Sequence, residues 1–121
     1  MKILECLHTA ILVSDLERAQ DFYQGILGLA PVDRVLKFPG IWYQVGQYQI
    51  HLIVSPDFQA SLQEEAKWGR NSHIAFSVDD LEALAKGLEA QGYSYQKSAS
   101  GRAALFVRDP DGNVVEVSQS A

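Results

Sequence analysis

The sequence predicts an α+β protein built from two tandem copies of a βαβββ module. Three observations predict this fold: a repeated ten-residue segment, a helix start after each copy, and short strands after each helix. Residues 8–17 (HTAILVSDLE) align with residues 73–82 (HIAFSVDDLE), so that His, Ala, Val, Asp, Leu and Glu recur in register. Self-similarity at a fixed spacing indicates a duplicated structural unit.

The module boundaries follow from the repeat and from composition. Residues 1–55 form the first module, residues 56–70 a polar linker with some helical character, and residues 71–121 the second module. A chain of 121 residues has the size of one ordinary domain. We therefore expect residues 1–121 to form a single domain made of two modules.

Each module opens with an apolar strand that leads into a helix. Residues 3–13 and 71–78 are predicted strands, and the first is apolar on both faces, as expected of a strand covered on both sides. Ser14 and Glu17 form a capping box with Ser14 as the cap, and residues 79–82 repeat the signal with Asp as the cap. The predicted buried helix residues are Leu16, Ala19, Phe22, Tyr23, Ile26 and Leu27, then Leu81, Leu84, Ala85 and Leu88.

Glycines and turns bound the remaining elements. Gly28 and Gly92 stand where a helix C-terminus favours positive φ. Residues 109–113 (DPDGN) form a predicted turn, because Pro presets φ and Gly supplies the left-handed corner; Gly46 and Gln47 form a weaker one. The predicted strands after the helices are residues 29–36, 42–45, 49–54, 93–97, 103–107 and 114–118.

Composition limits the classes of partner and the compartment. The formal net charge is −5 and Lys and Arg form no cluster, which argues against nucleic acid or an anionic membrane as the main partner. A single cysteine, Cys6, excludes an internal disulfide framework and fits a reducing compartment. The N-terminus lacks the pattern of a signal peptide, and no segment has the length to span a bilayer. We therefore expect a cytoplasmic protein with a small-molecule partner.

The three histidines of the chain occupy positions related by the repeat. His73 follows His8 by 65 residues, and Glu116 follows His51 by the same 65 residues. A single histidine in an apolar strand is more often a core or surface residue than a ligand, but all three fall on equivalent positions. The sequence therefore predicts a metal site of His8, His51, His73 and Glu116. Nitrogen and oxygen donors without thiolate suit Zn, Ni, Co, Mn or Fe(II).

Several other side chains are weaker candidates for the site. Cys6 lies two residues before His8, where a thiol could line a cavity, although a small buried hydrophobic residue is the more common role. Trp42, Tyr43 and Trp68 could wall a substrate pocket, whereas aromatic residues in strands mostly belong to the core.

Two arginines near the last strands could bind an anionic substrate. Arg102 and Arg108 are these candidates, and Arg108 could equally pair with Asp109 or Asp111 at the surface. Nucleophilic elbows, phosphate-binding glycine loops and dinucleotide fingerprints do not occur in the sequence.

The motifs together resemble the vicinal oxygen chelate superfamily, which includes glyoxalase I, extradiol dioxygenases, fosfomycin-resistance proteins and bleomycin-binding proteins. The resemblance covers nearly the whole chain, and residues 106–113, which lead to Glu116, are its most specific block. The segments that carry it are residues 7–10 (LHTA), 14–17 (SDLE), 21–23 (DFY), 26–29 (ILGL), 73–76 (HIAF), 78–81 (VDDL) and 106–113 (FVRDPDGN).

The resemblance implies curved, incompletely closed mixed sheets around a central cavity that holds a divalent metal. It implies a homodimer in which His8 and His51 of one subunit meet His73 and Glu116 of the other. It further implies a glyoxalase-like lyase or isomerase whose substrate binds the metal through adjacent oxygens, with Glu116 and His51 as the catalytic residues.

His51 is where this chain departs from glyoxalase I, which carries Glu at the matching position. Two alternatives follow from the resemblance. An extradiol-type Fe(II) dioxygenase would use His8, His73 and Glu116 as a facial triad, with His51 as a nearby acid–base group. A non-catalytic, drug-sequestering module of the bleomycin-binding type would need no metal.

Overall fold

The computed structural model describes residues 1–34 and 37–121 and divides into two compact units, Met1–Phe58 and Gln59–Ala121. Each unit holds one four-stranded mixed sheet with a helix between its first two strands. Each sheet is open, since its two outermost strands do not pair with each other. The predicted α+β class and the βαβββ order of both modules are confirmed.

The first unit contains four strands and one helix. The strand order is β1-β4-β3-β2, with β1 parallel to β4 and the other pairs antiparallel. Helix α1 continues as a π-helix over Asp21–Ile26. The elements are β1 His8–Val13, α1 Leu16–Gln20, β2 Ala30–Val32, β3 Gly40–Val45 and β4 Tyr48–Val54.

The second unit repeats this plan. Its strand order is β5-β8-β7-β6, again with the first pair parallel. A 3₁₀ turn, Trp68–Arg70, precedes the sheet, in agreement with the helical character predicted for the linker. The elements are β5 His73–Val78, α2 Leu81–Ala90, β6 Tyr95–Lys97, β7 Ala104–Arg108 and β8 Val114–Gln119.

Strand register preserves the sequence repeat. Ala10 lies opposite His51 in the first parallel pair, and Ala75 lies opposite Glu116 in the second. Because successive side chains in a strand point to opposite faces, His51 shares a face with His8, and Glu116 shares a face with His73.

Some strands differ from their predicted bounds. The first strands begin at His8 and His73, later than predicted. In the second unit the reason is that the parallel partner begins at Val114, opposite His73, and offers no earlier ladder position. The strand predicted over 29–36 is short, Ala30–Val32, and residues 35–36 lie outside the described part of the chain.

The helix caps lie one residue later than the capping-box pattern predicts. Asp15 Oδ1 accepts a hydrogen bond from the Arg18 amide at 2.9 Å, and Asp80 Oδ1 accepts from the Ala83 amide at 3.0 Å. The prediction of Ser14 as the cap is therefore wrong, because Asp15 keeps an extended backbone and the helix starts after it. The two caps are themselves 65 residues apart, as the repeat requires.

The first unit buries one face of its sheet against α1 and its continuation. Tyr43 is fully buried on this face, its ring lies 6.4 Å from that of Tyr23, and its hydroxyl donates to Gln24 Oε1 at 2.9 Å. Burial raises the pKa of Tyr43 to about 12. The fully buried side chains of this core are Val13, Ala19, Phe22, Tyr23, Tyr43, Ile50 and Leu52. The opposite face of the sheet carries His8 and His51.

The second unit packs α2 against its sheet in the same manner. Of the four residues predicted to be buried in α2, Leu84 and Leu88 are buried, whereas Leu81 and Ala85 are half-buried. Leu84 and Leu88 share the core with Leu105, Val107, Val115 and Val117. The turn before β8 is closed by hydrogen bonds from Asp111 and Asn113 amides to Asp109 Oδ1, both at 2.9 Å. Within residues 1–34 and 37–121, no helix combines the length and apolar character needed to span a bilayer.

Candidate metal centre

In the first unit, His8 and His51 lie side by side on the face opposite the helix. Their rings are stacked, with centroids 4.1 Å apart and planes 14° from parallel. Trp42 stacks on His51 at 4.2 Å and 8°, which follows from its position opposite His51 in the β3–β4 ladder. His51 is thereby enclosed and only 8% exposed.

The surroundings of His51 favour its neutral form. Burial lowers the pKa of His51 below its usual value, and the neighbouring charges of His8 and Arg34 lower it further. The guanidinium of Arg34 lies over the Phe38 ring at 4.9 Å and donates to the Gly40 carbonyl at 3.3 Å. A neutral imidazole can bind a metal or accept a proton.

A cavity of about 630 Å³ lies beside these histidines in the first unit. Apart from the imidazoles it is lined by apolar, aromatic and amide side chains and by no Lys, Arg, Asp or Glu. The lining residues are Leu7, His8, Ala10, Phe38, Trp42, Gln44, Gln47, Gln49, His51 and Ile53. This is the size of an ordinary small-molecule site.

In the second unit, His73 and Glu116 lie together. His73 Nε2 lies 3.2 Å from Glu116 Oε1, and the two side chains are 23% and 13% exposed. His73 Nδ1 lies 2.6 Å from the carbonyl oxygen of Asn71. A carbonyl can only accept, so Nδ1 must carry the proton. Phe106 packs edge-on to the His73 ring at 5.6 Å.

The second oxygen of Glu116 has partners of its own. Ser118 Oγ donates to Glu116 Oε2 at 3.2 Å, and Arg102 Nη1 lies 3.6 Å from the same oxygen. These contacts orient the carboxylate so that Oε1 is the oxygen presented to His73.

The donors in the second unit fit a divalent metal, whereas the His8 and His51 rings of the first unit are stacked almost in parallel. With Nδ1 of His73 protonated, a lone pair on Nε2 would face a carboxylate oxygen, an arrangement that is repulsive unless a cation or a proton lies between them. Adjacent ligands held at about 2.1 Å from a metal are roughly 3.0–3.4 Å apart, which matches the 3.2 Å found here. A ring N–H bound to a backbone carbonyl is the usual support of a ligating histidine. Neither unit by itself, over the described residues, gathers three His, Cys, Asp or Glu donors.

The weaker candidates have different fates. Cys6 lies before β1 and is exposed, so it is neither a strand residue nor a buried one. Trp42 lines the cavity, whereas Tyr43 belongs to the core. Trp68 lies in the 3₁₀ turn and its amide donates to Gln96 Oε1 at 2.9 Å.

The two arginines also divide. Arg102 approaches Glu116, as described above. Arg108 is structural, since it donates to the carbonyls of Gly112 at 2.9 Å and Ala60 at 3.5 Å. These carbonyls, rather than a substrate, are its partners in the turn before β8.

The sequence pattern missed two residues that support the histidines. Gln49 Oε1 lies 2.8 Å from His51 Nε2, and Asn71 fixes His73 through its carbonyl. The Asn71 side chain also binds the linker, accepting from the Gln63 and Glu64 amides at 2.6 and 3.0 Å. For Gln49 the available signal was its position two residues before His51 on one face of β4. Asn71 acts through its backbone carbonyl, for which the sequence carries no signal.

Known proteins with similar sequences are named for one activity. The chain is 28% identical over 128 residues to a lactoylglutathione lyase of Haemophilus influenzae, covering 93% of this chain and 90% of the relative. It is also 28% identical over 117 residues to Glyoxylase I 4 of Arabidopsis thaliana, covering 91% and 67%.

Solved structures have the same fold. The trypanothione-dependent glyoxalase I of Leishmania major superposes with a TM-score of 0.72 at 22% identity, covering 97% of this chain and 87% of that one. At this identity the likeness shows the fold alone. The family described as the Glyoxalase/Bleomycin resistance protein/Dioxygenase superfamily matches residues 6–117. With that match over nearly its whole length, and with the paired open sheets of the fold, this chain belongs to the Glyoxalase/Bleomycin resistance protein/Dioxygenase superfamily.

Proposed function

We propose that this protein is a metal-dependent lyase or isomerase of the glyoxalase type, acting on a small molecule with two adjacent oxygens. The observation that carries the proposal is the His73–Glu116 pair. With Nδ1 bound to the Asn71 carbonyl, Nε2 lies 3.2 Å from a carboxylate oxygen, a spacing that two ligands of one metal ion adopt. The lyase relatives support the reaction class.

The proposed metal ligands are His8, His51, His73 and Glu116, one pair from each unit. On the resemblance to the superfamily, the two pairs are proposed to meet across a homodimer, with one pair from each chain. An apolar segment next to β1 supports such an interface: β1 is an edge strand, and the residues before it expose Ile3 at 82%, Leu4 at 85% and Leu7 at 65%.

A bound divalent metal would act as a Lewis acid on the adjacent oxygens of the substrate. Around it, Glu116 offers Oε1 while Ser118 and Arg102 hold Oε2. These contacts orient the Glu116 carboxylate and restrict the side-chain movement that a proton transfer to substrate would need. Glu116 remains the second candidate for the acid–base role.

His51 is the better-placed proton acceptor when it is not bound to metal. Its lowered pKa keeps the ring neutral at pH 7, and a neutral imidazole is a competent general base. Trp42 and His8 hold the ring from both sides.

The cavity favours a small substrate with apolar or aromatic surface. Apart from His8 and His51, no ionisable side chain of the described residues lines the cavity. The amides of Gln44, Gln47 and Gln49 can hydrogen-bond polar groups of such a ligand.

The direct test is turnover of hemithioacetals of 2-oxoaldehydes by protein freed of metal and then loaded with Ni, Zn or Co. We expect activity that depends on added metal and falls by at least about 100-fold in Glu116→Gln. Glu65→Gln, the same change at an exposed carboxylate, is the matched control and should keep full activity.

Two other outcomes decide against this function. Oxygen uptake with catechols by the Fe(II) form, without hemithioacetal turnover, assigns the chain to the dioxygenase branch. Failure to bind any divalent metal, with ligand binding unchanged by chelator, assigns it to the non-catalytic binding proteins of the family.

A further inference from the structure

A chain of glutamine amides joins His51 to the turn between β3 and β4. Gln44 and Gln49 are cross-strand partners in this hairpin. Gln44 Nε2 donates to the carbonyl of Gly46 at 2.8 Å and approaches that of Tyr48 at 3.3 Å. Gln49 Nε2 donates to Gln44 Oε1 at 2.8 Å, and Gln49 Oε1 faces His51 Nε2 at 2.8 Å.

The direction of every bond in this chain is fixed from its far end. Backbone carbonyls only accept, so Gln44 must turn its NH₂ towards Gly46 and Tyr48. Its Oε1 then faces Gln49, which must answer with its own NH₂. The remaining oxygen of Gln49 faces His51, whose Nε2 must therefore carry a proton.

Reversal of the chain is unfavourable at each step. If Nε2 of His51 were the acceptor, Gln49 would have to flip and place its oxygen against Gln44 Oε1. Gln44 would then flip and place its oxygen against two carbonyls. Each such contact replaces a hydrogen bond by two facing acceptors, and all of these contacts except that with the Gly46 carbonyl are partly buried.

We propose that Gln44 and Gln49 are positioning residues that hold the His51 imidazole with its proton on Nε2 and its lone pair on Nδ1. This inference rests on the proposed function for its consequence. Nε2 of His51 is then occupied by its proton and its bond to Gln49, and Nδ1 is the nitrogen left to bind a metal or accept a proton. Gln49 thus supports the ring through Nε2, as the Asn71 carbonyl supports His73 through Nδ1.

The second unit shows the opposite arrangement. His73 has its proton on Nδ1 and presents Nε2 to Glu116. The position equivalent to Gln49, opposite the first residue of the parallel strand, is Val114. No amide can therefore act on the second pair from that position, and the repeat is asymmetric in its proton placement as well as in its ligands.

Nitrogen NMR of the histidine rings in metal-free protein at pH 7.5 tests the positioning directly. We expect His51 to show a protonated Nε2 and an unprotonated Nδ1. Gln49→Leu should abolish this preference, and Gln49→Glu, which keeps an acceptor, should retain it. Gln47→Leu, the same change in the adjacent turn, is the matched control and should leave the His51 pattern unaltered.

Zn²⁺ competition with a coloured chelator supplies the second readout. Loss of the hydrogen bond to Nε2 should make Gln49→Leu bind Zn²⁺ about 10-fold more weakly than the parent chain, while Gln47→Leu should not change. A proton on Nδ1 of His51 in the parent chain, or a pattern unmoved by Gln49→Leu, would overturn the positioning role. Unchanged or tighter Zn²⁺ binding in Gln49→Leu would overturn the support of a metal-binding ring. Absence of Zn²⁺ binding in every variant, with the ring pattern as expected, counts against the proposed function and leaves the positioning intact.

Discussion

Two histidines with the same ring chemistry hold their protons on different nitrogens because of what stands two residues before each. Asn71 offers a backbone carbonyl to Nδ1 of His73. Gln49 offers a side-chain oxygen to Nε2 of His51. Each ring thus has one nitrogen held by an oxygen and the other nitrogen available to bind a metal or accept a proton.

The charge state of His51 should affect the stability of the metal-free protein. Its pKa in the fold lies below the value of about 6.5 expected of the unfolded chain. As pH falls below about 6.5, the unfolded chain takes up the proton first, so stability is lost as pH falls towards the lower folded pKa. Urea midpoints in chelator at pH 7.5 and 5.5 should therefore fall more steeply for the parent chain than for His51→Phe. An equal decrease in the urea midpoint of both proteins would show that the fold does not lower the pKa of His51.

A carboxylate at position 51 should give the donor set that the resemblance implies for glyoxalase I. His51→Glu supplies an anionic ligand at this position. We expect metal-dependent hemithioacetal turnover to rise by about tenfold or more, measured at saturating Ni or Zn. His51→Gln, of similar size and without charge, is the control. An equal rise in both variants would attribute the gain to the loss of imidazole.

At the scale of elements, the 3₁₀ turn before β5 supports the Glu116 side of the centre. Gly69 lies against the Phe106 ring, where an added Cβ would come within 2.6 Å of a ring carbon. Phe106 in turn packs on His73. The turn therefore contacts the Phe106 ring, and the Phe106 ring contacts His73.

Two glycine substitutions separate this packing from general helix effects. Gly69→Ala should destabilise the protein by about 1–3 kcal/mol, because the Phe106 ring must shift. Gly87→Ala, in α2 with open space around it, should stabilise it by about 0.5–1 kcal/mol. Chemical denaturation measures both. Equal effects of the two changes would mean that Gly69 does not press on Phe106.

Elements also show where sequence reasoning succeeds and where it stops. The duplicated segment predicts both modules and the equivalence of His51 with Glu116. The strand register agrees with this equivalence, since each residue lies opposite an alanine of its parallel partner strand. The sequence pattern misplaces the first cap, since Ser14 and Asp15 can both cap a helix. The backbone conformation, which is extended at Asp15, determines which residue is the cap. The glutamine chain could not be predicted, because it depends on the cross-strand pairing of Gln44 with Gln49.

At the scale of the whole molecule, the centre is proposed to be shared between two chains. The exposed apolar residues before β1 are the proposed contact. Leu4→Asn should shift the protein towards monomer in sedimentation velocity and weaken metal binding together. Lys2→Asn, with the same new side chain in the same segment, should leave both unchanged. Dissociation to monomer with full metal affinity would show that the centre does not need the dimer.

Metal stoichiometry of the donor variants tests the central claim most directly. Protein purified without chelator and equilibrated with Zn²⁺ is analysed for bound metal, alongside His8→Ala and His73→Ala, one from each unit. The account predicts stoichiometric metal in the parent chain and a loss of at least about 10-fold in affinity in both variants, because the two pairs serve one centre. Metal binding that survives in either variant, or that is lost in only one of them, would contradict it.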